Sequence, residues 1–196
     1  MKQCSSLIRA WKCNAMDFGR KILKYAHYHL FEERHLVCFA YSLDRPLIQF
    51  PISDLLKIHI ATPADYKQIT RDLFPVLIKE HEYDKHYFLR LGDPRAQCFI
   101  AEREGKIIHY AWFFHDATAS PFMKVWSQRR KAKKGDAYVG PVFTHPSARG
   151  TLVYSSVLVR ILDYARQQGC RRLLLVIDGR RPSAVRFYER WNFEHV

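Results

Sequence analysis

The chain has no CxxC or CxxH pair, and its five cysteines, Cys4, Cys13, Cys38, Cys98 and Cys170, are scattered and odd in number. That spacing excludes a disulfide framework and a thiolate zinc site, and predicts reduced thiols in a cytoplasmic setting. Its ten histidines form no HExxH and no other ligand cluster, so no metal is expected. Ser155-Ser156 lack a GxSxG context, which removes the serine-hydrolase reading. Long apolar runs are missing too: stretches such as Leu173–Ile177 fall far short of the roughly 20 residues of a membrane span. At the N-terminus Arg9 and Lys12 interrupt the apolar run that a signal peptide needs, so no export signal is predicted. No internal repeat or low-complexity tract is visible.

Acidic residues are scarce relative to basic ones, 19 against 32 in 196 residues, a formal charge of +13. The excess is uneven: residues 51–126 are neutral, whereas 127–150 carry +5. A positive field favours polyanionic partners such as phosphorylated cofactors, acidic carrier proteins, nucleic acid or anionic lipid, without choosing among them. Ser127–Lys134, SQRRKAKK, is either a solvated loop or a docking patch for an anionic partner. Helix-turn-helix, zinc-finger and RNP signatures are absent, so nucleic acid is not expected.

The hydrophobic share, 48%, is that of a globular chain that can bury a core unaided. Phe18, Ile22, Tyr25 and His29 at helical spacing, with Arg20, Lys21 and Lys24 between them, predict an amphipathic helix over 17–31. That helix either docks on its own core or rests on a membrane surface as a peripheral contact. LVCFAY at 36–41 reads as a strand. Pro46 and Pro51 then suggest a boundary, which divides the chain into an N-terminal basic extension, 1–54, packed on a domain of residues 55–196. Tyr25, Tyr28, Phe31 and Phe39 of the extension either line an acceptor pocket or pack against the domain.

Downstream, Ile58 and Ile60 alternate with polar residues and predict a strand at 56–61. Thr62, Pro63 and Asp65 carry an N-cap, a first-turn proline and a capping-box spacing, so a helix starts at 63. Pro75 breaks it, and a second helix is expected over 75–90. Strands at 97–102 and 106–114 are joined through Glu104-Gly105, a two-residue hairpin connection, and a further strand follows at 137–144. Leu152, Val153, Val157, Leu158, Ile161, Leu162 and Ala165 keep 3.6-residue spacing up to the stop at Gly169. LLLVI, 173–177, suits a strand buried on both faces. Pro182 opens a last helix.

A strand feeding a turn that opens a helix offers free N–H groups and a positive dipole end, a place for phosphate. Here that turn is HPSARG, after Pro141-Val142-Phe143-Thr144, and Arg149 beside it adds a charge able to grip phosphate. Over residues 56–195 the sequence resembles the GNAT superfamily of acyl-CoA-dependent N-acyltransferases. HPSARGTLVYSSVLVRIL is similar to the family's pyrophosphate loop and following helix, which commonly read Arg or Gln, two residues, Gly, one residue, Gly or Ala. Arg149, Gly150, Thr151, Leu152, Val153 and Tyr154 occupy those places, with Leu152 and Tyr154 where small residues are usual; a subset of members carries Tyr at the last position. PSAVRFYERWNF is similar to the family's closing signature, with Asn192 for the usual Gly and Arg181 where Asn is frequent.

The resemblance implies an α/β fold: a mixed sheet flanked by helices and splayed between the 137–144 and 173–177 strands, with the pantetheine arm of acetyl-CoA or another acyl-CoA in the gap. It implies direct attack of an amine on the thioester. Backbone amides of Val142, Phe143 and Thr144 would serve the cofactor and carbonyl, residues 149–154 the pyrophosphate, and Tyr188 would protonate the departing sulfur. No base is singled out; His145, Asp178, Asp116, Glu102 or a water would serve. Outside the resemblance, Tyr188 reads as a packed aromatic, Arg149 as an exposed cation and His145 as a turn residue. Acceptors would be small-molecule or peptide amines. Acyl carrier protein as donor, a catalytically inactive binding module, and a homodimer stay open. The family normally adds a final strand after the last helix; here it is either very short, or supplied by another chain, or the sequence is truncated.

Overall fold

The computed structural model describes residues 36–46, 51–80, 82–120 and 131–196. The helix expected over 17–31, together with Cys4, Cys13, Tyr25, Tyr28, Phe31 and the first half of the SQRRKAKK run, lies outside the described residues. Seven strands form one sheet: β1 (Leu36–Ser42), β2 (Lys57–Ile60), β3 (Ala96–Arg103), β4 (Lys106–Phe114), β5 (Asp136–Thr144), β6 (Arg172–Asp178) and β7 (Glu194–His195). Their order across the sheet is β2-β3-β4-β5-β6-β1-β7. β5 and β6 pair in parallel; every other neighbouring pair is antiparallel.

The helices are α1 (Tyr66–Asp72), α2 (Phe74–Glu80), α3 (Val153–Gln167) and α4 (Pro182–Arg190). The start expected at 63 is a short 3₁₀ turn, Pro63–Asp65, that leads into α1. The Asp65 carboxylate accepts from the Thr62 N–H at 2.7 Å and the Thr62 hydroxyl at 2.9 Å. The break comes at Leu73, just ahead of Pro75, because a proline suits the first turn of a helix but not its interior. The single helix expected over 75–90 is replaced by α2 and a 3₁₀ segment, Glu82–Arg90. The hairpin of β3 and β4 turns on Glu104 and Gly105 at φ 53° and 73°, the left-handed pair that a type I′ turn requires.

Both sheet faces are covered. Against one lie α3 and α4, through Val157, Leu158, Ile161, Leu162, Tyr188 and Trp191, with Phe39 and Tyr41 of β1. Against the other lie Ile69, Leu73, Leu77 and Phe88, packed on Tyr110 and Trp112. Each such aliphatic or aromatic side chain contributes about 1.5–3 kcal/mol on burial.

β1 corrects the expected division of the chain. Leu36–Ser42 pairs with all of β6, Leu36 opposite Asp178 through Ser42 opposite Arg172, and its other edge holds β7 through Phe39–His195 and Ala40–Glu194. The compact unit therefore runs from Leu36 to Val196. Cys38 and Phe39–Tyr41 are buried, so this strand could only be placed inside a sheet. After α4 comes the two-residue β7, and β1 occupies the position between it and β6.

Candidate active site

β5 and β6 run together only from Asp136–Arg172 to Tyr138–Leu174. Beyond that they diverge, and among the described strands β5 from Val139 to Thr144 pairs with β4 alone. The closed end of this fork is clamped by Arg172, whose Nη2 and Nε reach the two oxygens of buried Asp136 at 2.6 and 3.0 Å. The divergence begins at Gly140, whose φ of 142° is closed to most side chains and where a Cβ would meet the Tyr138 hydroxyl at 3.0 Å. Pro141, next in the chain, has no N–H for a ladder.

From the open end the chain enters the His145–Leu152 turn. His145 Nδ1 lies 2.7 Å from Ser147 Oγ and accepts from the Ser147 N–H at 3.2 Å, so this side chain shapes the turn. Arg149 Nε donates to the Thr144 carbonyl at 3.1 Å, and its guanidinium lies 5.8 Å from the centre of the Phe143 ring. Gly150 has φ 74°, with nothing within 4 Å of where a Cβ would stand. Thr151 Oγ1 donates to the Ala148 carbonyl at 2.7 Å. Leu152, 40% exposed, precedes α3 without a side-chain cap, and no acidic residue stands in the first turn. The positive end of α3 is thus uncompensated beside an arginine, which suits an anion. Val153 is buried.

Tyr154 links β4 and α4. Its ring lies 5.7 Å from His109 of β4 and 5.4 Å from Phe187 of α4, and its hydroxyl is hydrogen-bonded to that of Tyr188. Tyr188 is held by the end of α4: its carbonyl accepts from the Phe193 N–H at 3.0 Å, and the Asn192 N–H donates to the Glu189 carbonyl at 3.1 Å. Asn192 takes φ 54°, the left-handed C-terminal position that Asn fills in place of Gly. Phe39 and Phe193 pack on the Tyr188 ring at 5.6 and 5.3 Å. Burial pushes the Tyr188 phenol up to about 12, against a lowering by the hydrogen bond with Tyr154; burial and the Tyr188 neighbour raise Tyr154 well above the ordinary tyrosine range.

Of the residues singled out in the sequence, Val142, Phe143 and Thr144 on β5, Arg149–Tyr154 at the start of α3, and Tyr188 on α4 gather at the open fork. The four candidates for the base separate. Asp116 follows β4 at the closed end and caps a turn through the Thr118 N–H. Glu102 lies on β3, two strands from the fork, beside Lys57 and His59. Asp178, at the open end of β6, is gripped by Arg180 at 2.8 and 3.0 Å, which holds its carboxyl down at about 2. His145 is the fourth, in the turn described above.

His109 did not stand out in the sequence. Its Nδ1 lies 2.8 Å from Thr144 Oγ1, its Nε2 is buried without a partner, and burial depresses its pKa to about 3, so the imidazole is neutral. The available signal was a titratable residue inside the apolar run KIIHYAWFF. Among the described residues no group of three or more His, Cys, Asp or Glu could hold a metal, and no helix is long and apolar enough to cross a membrane.

Solved structures share this fold. The chain is similar to an N-acetyltransferase from Staphylococcus aureus Mu50 (20% identity, TM-score 0.53, covering 72% of this chain and 84% of that one). It is similar to the aminoglycoside acetyltransferase meta-AAC0020 from an uncultured soil metagenomic sample (16%, TM-score 0.53, 72% and 90%). A third is a ribosomal-protein-alanine N-acetyltransferase from Brucella melitensis (16%, TM-score 0.50, 69% and 89%). No curated protein matches the sequence. The model of the acetyltransferase (GNAT) family matches residues 64–193, from the helical turn before α1 to Phe193 after α4. The fork, the uncapped helix and the closing aromatic segment all fall inside that match, and the chain belongs to the GNAT family of acyltransferases.

Proposed function

We propose that the chain is an N-acetyltransferase that moves an acetyl group from acetyl-CoA to an amine by direct attack. The observation that carries this reading is the fork itself: an uncapped α3 terminus and Arg149 at one side, and a buried phenol, Tyr188, at the other. The space at Gly150 and the absence of acid in the first turn of α3 fit a pyrophosphate. Arg149, Gly150, Thr151, Leu152, Val153 and Tyr154 would hold it through backbone N–H groups and one guanidinium, and the Val142–Thr144 stretch of β5, beyond its pairing with β6, would hold the arm. Bound acyl-CoA supplies a thioester carbonyl and a thiol leaving group. Toward it the chain contributes position, N–H groups that polarise the carbonyl, and the Tyr188 proton for the sulfur.

The neutral form of the amine is the one that attacks. Asp178 and His145 stand at the open end, and the Asp178 carboxylate, ionised at any working pH, is suited to attract a cationic amine rather than to deprotonate it. The acceptors named for the similar structures, a ribosomal-protein alanine and aminoglycosides, define the first classes to assay.

The test is thermal unfolding with increasing CoA and acetyl-CoA, followed by thiol release with an amine panel. At a hundred times Kd the native state gains about 2.7 kcal/mol, which for a chain of this size raises Tm by about 5–10 °C. Arg149→Ala is expected to weaken the shift. No shift at millimolar CoA overturns free acyl-CoA as the donor and directs the search to acyl carrier protein.

A further inference from the structure

Tyr154 stands where a small residue is usual, and its side chain does more than fill space. It is on the first turn of α3, the helix end assigned above to the pyrophosphate, yet its hydroxyl reaches α4 and meets that of Tyr188. The rings of His109, anchored to Thr144 at 2.8 Å, and of Phe187 lie 5.7 and 5.4 Å from its own. The ring is therefore held by packing from both β4 and α4, and among the described residues its hydroxyl meets that of Tyr188.

The contact itself fits either hydroxyl as donor. With Tyr154 donating and the Tyr188 oxygen accepting, the Tyr188 hydrogen is not used on Tyr154 and can point into the fork. A phenolate left on Tyr188 would keep a charge-assisted hydrogen bond in a site of low dielectric, where such a bond is strongest.

We infer that Tyr154 is the positioning residue for Tyr188: its Oη–H holds the Tyr188 oxygen, aims the Tyr188 proton at the departing sulfur and stabilises the phenolate that remains. The inference rests on the acetyl-transfer reading. In the step it serves, the C–N bond to the acceptor forms and the C–S bond breaks. Tyr188 gives its Oη proton to the sulfur, and the proton shed by the acylated nitrogen returns through solvent to the Tyr188 phenolate. Tyr154 keeps its own proton throughout. Nothing is oxidised or reduced.

The experiment is a double-mutant cycle with Tyr154→Phe, Tyr188→Phe and the pair, measured at saturating acetyl-CoA and amine, alongside the CoA-induced rise in Tm. Loss of a general acid lowers kcat by about 10²–10⁴-fold; Tyr154→Phe is expected to lower kcat by about 10-fold, with KM for acetyl-CoA within about twofold and the Tm rise preserved. In the Tyr188→Phe background, Tyr154→Phe is expected to cost nothing further. A merely structural role would instead multiply the two losses, which overturns the inference, as does a Tyr154→Phe enzyme as fast as the wild type. A second readout needs neither donor nor turnover: with tyrosine labelled at Cζ with ¹³C, the Tyr188 resonance, identified by its loss in Tyr188→Phe, shifts in Tyr154→Phe. An unmoved resonance overturns the phenol pair. A wild-type chain that neither binds CoA nor transfers acetyl overturns the function itself, and the labelled spectrum still reports separately on the pair.

Discussion

Burial of His109 ties the stability of the fork to pH. Its ring is fully buried on β4, and the native protein refuses a proton until about pH 3, against an ordinary value of 6.5 in the unfolded chain. Below 6.5 the unfolded state binds a proton that the native state does not, so the stability from keeping this ring neutral is full above 6.5 and is lost as pH falls toward 3. His109→Phe is expected to be less stable than wild type at pH 7, having lost the bond to Thr144. Between pH 7 and pH 4, however, it should lose roughly 2–4 kcal/mol less than the wild type does. Urea denaturation at the two values checks this; parallel losses would show that the imidazole is solvated and titrates normally.

At the scale of elements, the fork depends on its closed end. Asp136 begins β5 with a side chain that is almost wholly buried, and it accepts from Arg172 twice and from the Lys133 N–H at 2.7 Å. Removing one partner of such a pair leaves a charge without compensation. Arg172→Ala is expected to cost about 3 kcal/mol of stability, read from urea denaturation, and a cost below about 0.5 kcal/mol would mean that water replaces the guanidinium. Most elements of the sheet were legible in the sequence because local rules determine them. Glu104-Gly105 dictates a tight hairpin. Gly169 at φ 72° closes α3, with the Cys170 N–H donating to the Ala165 carbonyl at 3.0 Å, and a continuous LLLVI fits β6 because both its faces are covered. The position of β1 was not legible. Its partners lie at the other end of the chain, and nothing local in LVCFAY distinguishes an inner strand from an accessory one, while Pro46 and Pro51 imitate a domain boundary. The same limit applies to the site: the Arg149–Tyr154 motif marked the loop, but the meeting of Tyr154 with Tyr188 comes from packing the start of one helix against the end of another.

At the scale of the molecule, charge decides how the fork finds its ligand. The formal charge is +13, and residues 127–196, which supply both prongs of the fork and α3, hold a net excess of basic side chains. Raising KCl from 0.1 to 1 M shortens the screening length from about 10 to about 3 Å. The CoA-induced rise in Tm is therefore expected to shrink with salt, while the Tm of the free protein stays level or increases as self-repulsion is screened. A shift independent of salt would assign the affinity to contacts with the arm instead of the phosphates.

The arrangement of β1 also sets a timetable. This strand leaves the ribosome before any of its partners, yet both strands that flank it, β6 and β7, come far later in the sequence, with the Val196 N–H donating to the Cys38 carbonyl at 3.0 Å. While the rest is being made, Cys38–Tyr41 has no edge to pair with, and such a segment is prone to pairing with the wrong one. Completion of this sheet therefore waits until β6 and β7 have been made, and Cys38–Tyr41 stays open to wrong pairing for that interval.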